Sequence, residues 1–185
     1  RSTLFPYTTL FRSSTEKIYN ALNSVTPLDM DCGELYGSAC CMSRDEDMGI
    51  YLLPGEDILI SDAVEDFEIE IDDAEEYEFP DSWTGDVYFV KCKDPLACNR
   101  FYRPVQCKIY PLEPHIREEK LILILSSVET PYKCPLIDKK IRLNPDFVET
   151  VYKAWEKLIE DPLIYDLILF DSSTRKNYLQ VYPEF

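Results

Sequence analysis

The sequence predicts an α+β fold in which short strands carry cysteine-rich loops, with an N-terminal helix and two packed C-terminal helices. Apolar residues recur at helical spacing near both ends of the chain. Between these ends, short apolar or alternating runs are bounded by proline and glycine, as strands and turns are. Helical patterns separated from strand patterns in this way are typical of the α+β class.

The first thirteen residues, Arg1 to Ser13, resemble a translated sequencing-adapter oligonucleotide over their whole length. The resemblance implies that they replace the native N-terminus and lie outside the fold, as cloning scars do. The alternative is an ordinary apolar N-terminal strand. Residues 14–185 are long enough for one domain, and a core of that size needs no disulfides.

The N-terminal part of this domain predicts a helix, a loop and a strand. Apolar residues have helical spacing over Glu16–Val25, and a proline two residues later ends the pattern. Cys32–Cys41 contains two glycines and predicts a loop. Gly49–Leu53 predicts a strand, which Pro54-Gly55 stops.

The middle of the chain combines an acidic run with further strands. Asp62–Asp81 holds eleven carboxylates and no basic residue, and inside it Phe67–Ile71 alternates apolar and acidic side chains. That period of two predicts a strand with one face in water. Carboxylates bind hard cations, but their irregular spacing here favours a solvated face or a mobile loop. Val87–Val90 and Leu121–Leu125 also predict strands, and Cys92–Cys107 predicts a loop with a short helical turn.

Two helices are predicted at the C-terminal end. Asn144 and Pro145 are typical of a helix start, and Asp161 and Pro162 repeat that pattern. An apolar stripe at helical spacing follows each start, and we interpret both stripes as core. The stripes consist of Phe147, Val151, Trp155, Leu158 and Ile159, and of Leu163, Ile164, Leu167 and Ile168.

Charge and hydropathy exclude two classes of partner. The net charge is -16, and without the adapter-like segment 17 basic and 35 acidic residues remain. Such a chain repels phosphate backbones, so we expect no nucleic-acid partner. No apolar run approaches the roughly 20 residues of a membrane span, so we expect a soluble, cytoplasmic protein with no membrane partner.

Seven cysteines carry the strongest functional signal. Thiols gathered from distant segments indicate a metal site or a disulfide framework. Their odd number, and the difficulty of pairing two adjacent cysteines, favour reduced thiols and a metal over disulfides. Buried or redox-active thiols without metal are the third possibility. The candidate ligands are Cys32, Cys40, Cys41, Cys92, Cys98, Cys107 and Cys134.

Thiolate is a soft ligand that suits zinc or iron, including an iron–sulfur cluster. Four thiolates are enough for either kind of site, and the spacing does not choose between them. Arg100 and Arg103 lie in the cysteine loop and are candidates for hydrogen bonds that support the thiolates. The alternative for both arginines is a salt bridge to the acidic run. His115, the one histidine, is expected in an exposed loop, with a metal-ligand role as the alternative.

The residue order Cys…Cys-Cys…Cys-x5-Cys-x4-Arg-Pro-x-x-Cys occupies Asp31–Cys41 and Cys92–Leu112. It resembles the YkgJ-type cysteine-cluster family of bacteria, whose members are described as zinc- or iron-chelating proteins. Gly49–Glu56 and Pro131–Ile137 are similar to segments of a clostridial branch of that family. The resemblance runs from about residue 18 to residue 171 and implies metal chelation.

Two positions depart from the family pattern. Tyr36 stands where the family usually has a further cysteine, and Lys108 stands where arginine is usual. With seven thiols, two complete four-thiolate sites cannot form in one chain. The departure at Tyr36 either removes a ligand or marks a position that the site does not need.

The function predicted from these observations is a soluble metal-binding protein with a cysteine-ligated zinc or iron–sulfur site. One alternative is a metal-dependent enzyme for methyl transfer or redox chemistry, in which an open coordination position on the metal does the chemistry. Some relatives in that family are fused to or act as flagellin lysine N-methylases, but that activity is not carried over to this chain. The chain shows no glycine-rich phosphate loop and no Ser-His-Asp or Cys-His pattern, so no catalytic residue is assigned. The other alternative is an acidic protein-interaction module without metal, whose acidic run binds a basic partner.

Deleting Arg1 to Ser13 should leave the thermal unfolding temperature unchanged within error, because that segment was not selected together with the rest of the chain. Thermal melts of the shortened protein and of the full chain measure this difference. A loss of several degrees on deletion would show that the segment belongs to the fold.

Overall fold

The computed structural model describes residues 9–41, 48–127, 130 and 132–183, and leaves out the side chains of residues 9–14 and of Asp62. Two small antiparallel sheets, an N-terminal helix and two C-terminal helices packed against the second sheet make up the fold. The α+β prediction is therefore confirmed. Within the described residues, no helix is both long enough and apolar enough to cross a membrane.

The helices are short in the middle of the chain and long at its ends. They are α1 Thr9–Asn23, α2 Cys32–Tyr36, α3 Glu56–Leu59, α4 Val105–Ile109, α5 Pro135–Asp138, α6 Pro145–Leu158 and α7 Pro162–Thr174. The strands are β1 Ile50–Tyr51, β2 Phe67–Asp73, β3 Asp86–Cys92, β4 Leu112–Arg117, β5 Lys120–Leu125 and β6 Gln180–Tyr182. The first sheet has the order β1-β3-β2 and the second β4-β5-β6.

Helix α1 is longer at its start than the sequence pattern predicts. Its backbone is helical from Thr9, so residues 9–13 of the adapter-like segment continue the helix. Residues 1–8 lie outside the described residues, and the exclusion of residues 1–13 from the fold stays a prediction. Ile18, Tyr19 and Leu22 are buried on the face of α1 that meets α6 and α4.

The first sheet carries the acidic run at one edge. Strand β2 pairs antiparallel with β3, with Ile69 opposite Val90, which confirms both predicted strands. The alternation misleads on burial, however, because Ile69 and Ile71 are 36% and 62% exposed. Only the Phe67 end of β2 reaches the small core that also holds Leu52 and Val90, so the rest of the strand meets water on both faces.

Strand β1 is shorter than the predicted Gly49–Leu53. Gly49 precedes it, and a Cβ on this residue would lie 2.3 Å from the ring of Phe89. A side chain at position 49 would therefore force that ring to shift. The ladder continues beyond β1 through a hydrogen bond of 2.8 Å from Leu52 N to Tyr88 O.

The second sheet lies under the two C-terminal helices. Strand β5 confirms its prediction, while β4 and β6 were not predicted from the sequence. Prolines beside and inside β4 disguise it, since Pro114 lacks the N–H that a central ladder needs. As predicted, α6 and α7 begin at Asn144 and Asp161, whose side chains accept hydrogen bonds of 3.0 and 2.9 Å from backbone N–H groups two residues later. Phe147 and Trp155 of α6 are 0% and 1% exposed at the centre of the main core.

His115 is not in an exposed loop, so that expectation is wrong. It lies in β4, is 4% exposed, and its ring centroid is 4.2 Å from that of Tyr178. Among the described residues its Nδ1 has no hydrogen-bond partner. Burial lowers the pKa of His115, and the positive charges of Arg175 and Arg117 lower it further. The folded protein therefore holds this imidazole neutral.

The buried histidine predicts how stability responds to acid. The unfolded chain takes up a proton at His115 near its ordinary pKa, whereas the folded chain resists protonation until a lower pH. Wild-type stability should therefore fall as the pH drops from 7 toward 5, and His115→Gln should flatten that part of the profile. Urea unfolding of both proteins at several pH values measures the difference, and parallel profiles would contradict the prediction.

Candidate metal centre

Six of the seven cysteines lie in turns, in loops or at the ends of helices and strands, and the seventh lies in the middle of α4. None of them is joined in a disulfide, and each is partly buried. Cys32 begins α2, and Cys40 and Cys41 follow in the turn after it. Cys92 ends β3, Cys98 lies in the loop before α4, Cys107 lies in the middle of α4, and Cys134 directly precedes α5.

The first cysteine loop, Cys32–Cys41, begins with a single helical turn, α2, which the sequence pattern did not predict. Asp31 caps it, with Oδ1 accepting a hydrogen bond of 2.8 Å from Gly33 N. Gly37 ends it in the left-handed conformation, at φ 63°. A hydrogen bond of 2.7 Å from Cys41 N to Ser38 O then folds the chain back. Two adjacent thiols are thereby presented on one turn.

The second cysteine loop, Cys92–Cys107, contains two 3-10 turns, which agrees with the predicted loop and helical turn. Asp94 caps the turn Pro95–Ala97, and Asn99 caps the turn Arg100–Tyr102. Helix α4 follows directly and carries Cys107 in its middle. This succession of turns brings the end of β3 and α4 to the same side of the protein.

Five of the seven thiols line one cavity of about 820 Å³. Cys32 and Cys134 are not among the described residues that line it, and both pack against the main core. Tyr36, at the position where the family pattern has a cysteine, also packs against that core. The structure thus brings thiols from both cysteine loops to one cavity. The other two thiols are close enough to interact, since the charge of Cys134 raises the pKa of Cys32. The thiols at the cavity are Cys40, Cys41, Cys92, Cys98 and Cys107.

Four of these thiols form two hydrogen-bonded pairs. The Sγ atoms of Cys40 and Cys41 are 3.7 Å apart, and the thiols of Cys92 and Cys98 share a hydrogen bond. Within each pair one sulfur keeps its proton and donates it, which raises the pKa of Cys40 and of Cys92. The accepting sulfurs of Cys41 and Cys98 have lowered pKa values for the same reason. One thiol of each pair therefore loses its proton more readily than an isolated thiol does, and the other less readily.

Arg103 is the cation that stabilises the thiolate form of Cys41 and of Cys98. Its Nε donates a hydrogen bond of 3.2 Å to Cys98 Sγ, and its positive charge lowers the pKa of Cys41 as well. Its Nη1 lies 3.8 Å from Asp31 Oδ2, so the arginine also links the second cysteine loop to the first. Asp31 lies outside the acidic run, and among the described side chains Arg103 forms no salt bridge to that run.

Arg100 plays a different part from Arg103. Its Nη2 donates hydrogen bonds of 3.3 and 2.5 Å to the carbonyl oxygens of Leu22 and Val25, at the end of α1. Positive charge near the C-terminus of a helix is favourable, because carbonyl groups there lack helical partners. Its charge still lowers the pKa of Cys32, although burial raises that pKa more strongly.

Cys107 lines the same cavity from the middle of α4, and its pKa is raised. Burial and the negative charges of Cys41, Cys98 and Glu56 raise its pKa to about 12. It therefore carries its proton at neutral pH unless a cation replaces that proton. A bound metal ion supplies such a charge and deprotonates coordinating thiols outright.

The donor set fits a soft metal in chemistry. Two ligands at about 2.3 Å from a tetrahedral ion lie about 3.8 Å apart, close to the separation within the Cys40–Cys41 pair. Among the described residues, however, no three Cys, His, Asp or Glu side chains are close enough together to enclose an ion. Both pairs would supply the ligands for zinc or for an iron–sulfur cluster.

The buried carboxylate of Glu56, which the sequence analysis did not assign to the site, fixes the start of the helix that carries Cys107. Glu56, 1% exposed, accepts hydrogen bonds of 2.8 Å from Leu53 N and 2.7 Å from Val105 N, and a further one from the Tyr19 hydroxyl. It thereby joins α1, the turn before α3 and the start of α4. The only sequence signal was its position at the end of the family-like segment Gly49–Glu56.

Lys108 anchors the same helix from its other side. Its Nζ donates to Asn23 Oδ1 at 2.8 Å and to the carbonyl oxygens of Arg100 and Phe101 at 2.6 and 2.9 Å. The Nζ also lies 4.7 Å from the Tyr19 ring centroid. Burial lowers the pKa of Lys108 to about 7, yet three acceptors match the three donors of an ammonium group, and we assign that form. A compact ammonium suits these three acceptors without the planar fork of arginine.

Comparison with protein-family models, curated proteins and solved structures finds no match for this chain. The resemblance to the YkgJ-type family therefore stays a prediction from the residues quoted above.

Glu56→Gln should destabilise the protein by about 2–3 kcal/mol, because the amide loses the charge that three donors share and turns its own NH₂ toward one of them. Urea unfolding measures the change. Glu160→Gln is the matched control, since Glu160 pairs with Lys157 on the exposed surface of the protein and its loss should change stability by less than about 1 kcal/mol. Equal effects of the two substitutions would contradict the role given to Glu56.

Proposed function

We propose that this protein binds zinc or iron, the latter as an ion or an iron–sulfur cluster, through thiolates of the two cysteine loops. The observation that carries the proposal is the meeting of five thiols from separate segments at one cavity. A core of this size would fold without such a cluster, so stability alone does not account for it. The proposed ligands are Cys40, Cys41, Cys92 and Cys98, with Cys107 beside them.

The electrostatics of the loops support this assignment. Four thiolates around a divalent ion carry a formal charge of about -2. Arg103, in contact with Cys98 and close to Asp31, lies where it can offset that charge. The protonated partner of each pair loses its proton when a metal binds, so metal uptake releases protons. Reduced thiols of this kind belong in the cytoplasm, which is where we place the protein.

The cavity beside the thiols favours one alternative, a metal-dependent enzyme. A purely structural zinc site is closed by four protein ligands, whereas a catalytic site leaves one position open to substrate. The thiols here face an open space that is larger than a metal ion requires. An open position of this kind would suit methyl transfer or redox chemistry. No catalytic residue is assigned, and an acidic interaction module without metal has no contact in its favour.

Cys98→Ser should lower metal affinity at least about tenfold, because a serine hydroxyl does not ionise at neutral pH and Arg103 loses its thiolate partner. The measurement is a zinc titration of reduced, anaerobically purified protein against a chromophoric chelator. Metal analysis and an absorption spectrum of the purified protein identify the native metal, since iron–sulfur clusters absorb broadly near roughly 400 nm and zinc does not.

Cys134→Ser is the matched control for this titration. It makes the same substitution at a partly buried thiol that does not line the cavity, so the zinc affinity should stay within error of the wild type. Equal losses in both variants would contradict the ligand assignment. Failure of the wild-type protein to bind zinc or iron stoichiometrically would overturn the proposed function.

A further inference from the structure

The cavity beside the thiols is too large to serve a metal alone. Its volume of about 820 Å³ falls within the range of small-molecule sites, roughly 300–1,000 Å³. Besides the five thiols, the cavity is lined by residues of β1, β2, β3 and the second cysteine loop, and by two tyrosines that follow α4 and precede α5. The thiols therefore leave a separate surface whose chemistry is still to be explained.

That surface is mainly apolar and partly aromatic. Ile50, Phe67 and Leu96 line one side, and Tyr110 and Tyr132 line another. The two tyrosines hydrogen-bond to each other, and their ring centroids are 6.2 Å apart. Leu96 is 73% exposed, although a large apolar side chain gains by burial. A ligand with an apolar body would cover it.

The charge around this apolar surface is unusual for the chain. Overall, 35 acidic residues outnumber 19 basic ones, whereas at the cavity, apart from the thiols, three basic side chains stand beside two carboxylates. Lys91 pairs with Glu70 at 3.2 Å and Arg103 with Asp31 at 3.8 Å. Lys93 donates its hydrogen bond of 3.0 Å to the neutral carbonyl oxygen of Glu65. Asp94 is already engaged, because its Oδ1 accepts a hydrogen bond of 3.1 Å from Leu96 N. The charged side chains at the cavity are Arg103, Lys91, Lys93, Glu68 and Asp94.

We infer that the cavity binds a small organic anion whose apolar body packs against Phe67 and Leu96 and whose negative group faces Lys93 and Arg103. This inference goes beyond metal binding and rests on the cavity wall, so it holds whether or not the thiols carry a metal. With zinc present, the anion would bind more tightly, because the ion offsets the negative charge of the thiolates.

A pair of fluorescent probes tests both parts of the inference. Anilinonaphthalene sulfonate joins an aromatic body to an anionic group, and phenylnaphthylamine is the same body without the charge. We expect the sulfonate to bind the reduced full-length protein at one saturable site and more tightly than the neutral probe. The measurement is a fluorescence titration, made first without metal and then with zinc.

Paired variants locate the site. Leu96→Glu should weaken sulfonate binding about tenfold, since it places a carboxylate against the apolar body, and Lys93→Gln should weaken it about threefold. The matched controls are Leu179→Glu, at another exposed leucine, and Lys153→Gln, at an exposed lysine of α6, and both should bind as the wild type does.

Each remaining outcome overturns the inference. Equal binding by all variants would place the probe elsewhere on the surface, and equal affinity for the two probes would remove the preference for an anion. Absence of saturable binding would exclude the site. Zinc binding without probe binding defeats this inference and leaves the proposed function intact, whereas probe binding without zinc binding does the reverse.

Discussion

The arrangement around the cavity depends on the hydrogen bonds that the carboxylate of Glu56 accepts. It is buried, and each of its three hydrogen bonds comes from a different segment of the chain. Burying an unpaired carboxylate would cost several kcal/mol, so the three donors and the carboxylate require each other. Because Val105 N is one of those donors, the position of α4, and with it of Cys107, is tied to α1 and to the turn after β1.

The thiols are held in the opposite way, by a loose frame. Cys40 and Cys41 lie on a turn that contacts the second cysteine loop through Arg103 and Asp31, at 3.8 Å. A link at that distance between partly exposed groups contributes little to stability. Helix α4 is therefore anchored in the core on one side of the site, whereas the ion pair that links the second cysteine loop to the first is weak. Such a division suits a site in which a metal ion completes the structure that it binds.

The sequence predicted the parts of this protein that local chemistry determines. The starts of α6 and α7 follow from a capping side chain and a proline, which act within three residues. Strand β4 was not predicted because Pro114 contradicts its pattern, although it pairs with β5, the next strand along the chain. His115 was placed wrongly for the same reason.

The candidate site was predictable only as far as residue type allows. Cysteines are rare enough to indicate a shared site, but their spacing could not show which five of them line the cavity. Glu56 is one of 35 acidic residues, and nothing in the sequence distinguishes a buried carboxylate from an exposed one. Its burial depends on donors that are 37 and 49 positions away along the chain.

The exposed edge of the first sheet has a consequence for how copies of this protein meet. Strand β2 ends its sheet with seven residues in extended conformation, a shape that invites a second strand to add on. Two exposed isoleucines would favour such stacking, yet every second position beside them carries a carboxylate. Copies that approached edge to edge would bring Glu68, Glu70 and Asp72 against like charges. The acidity of this strand thus protects the folded protein from aggregation through its own sheet.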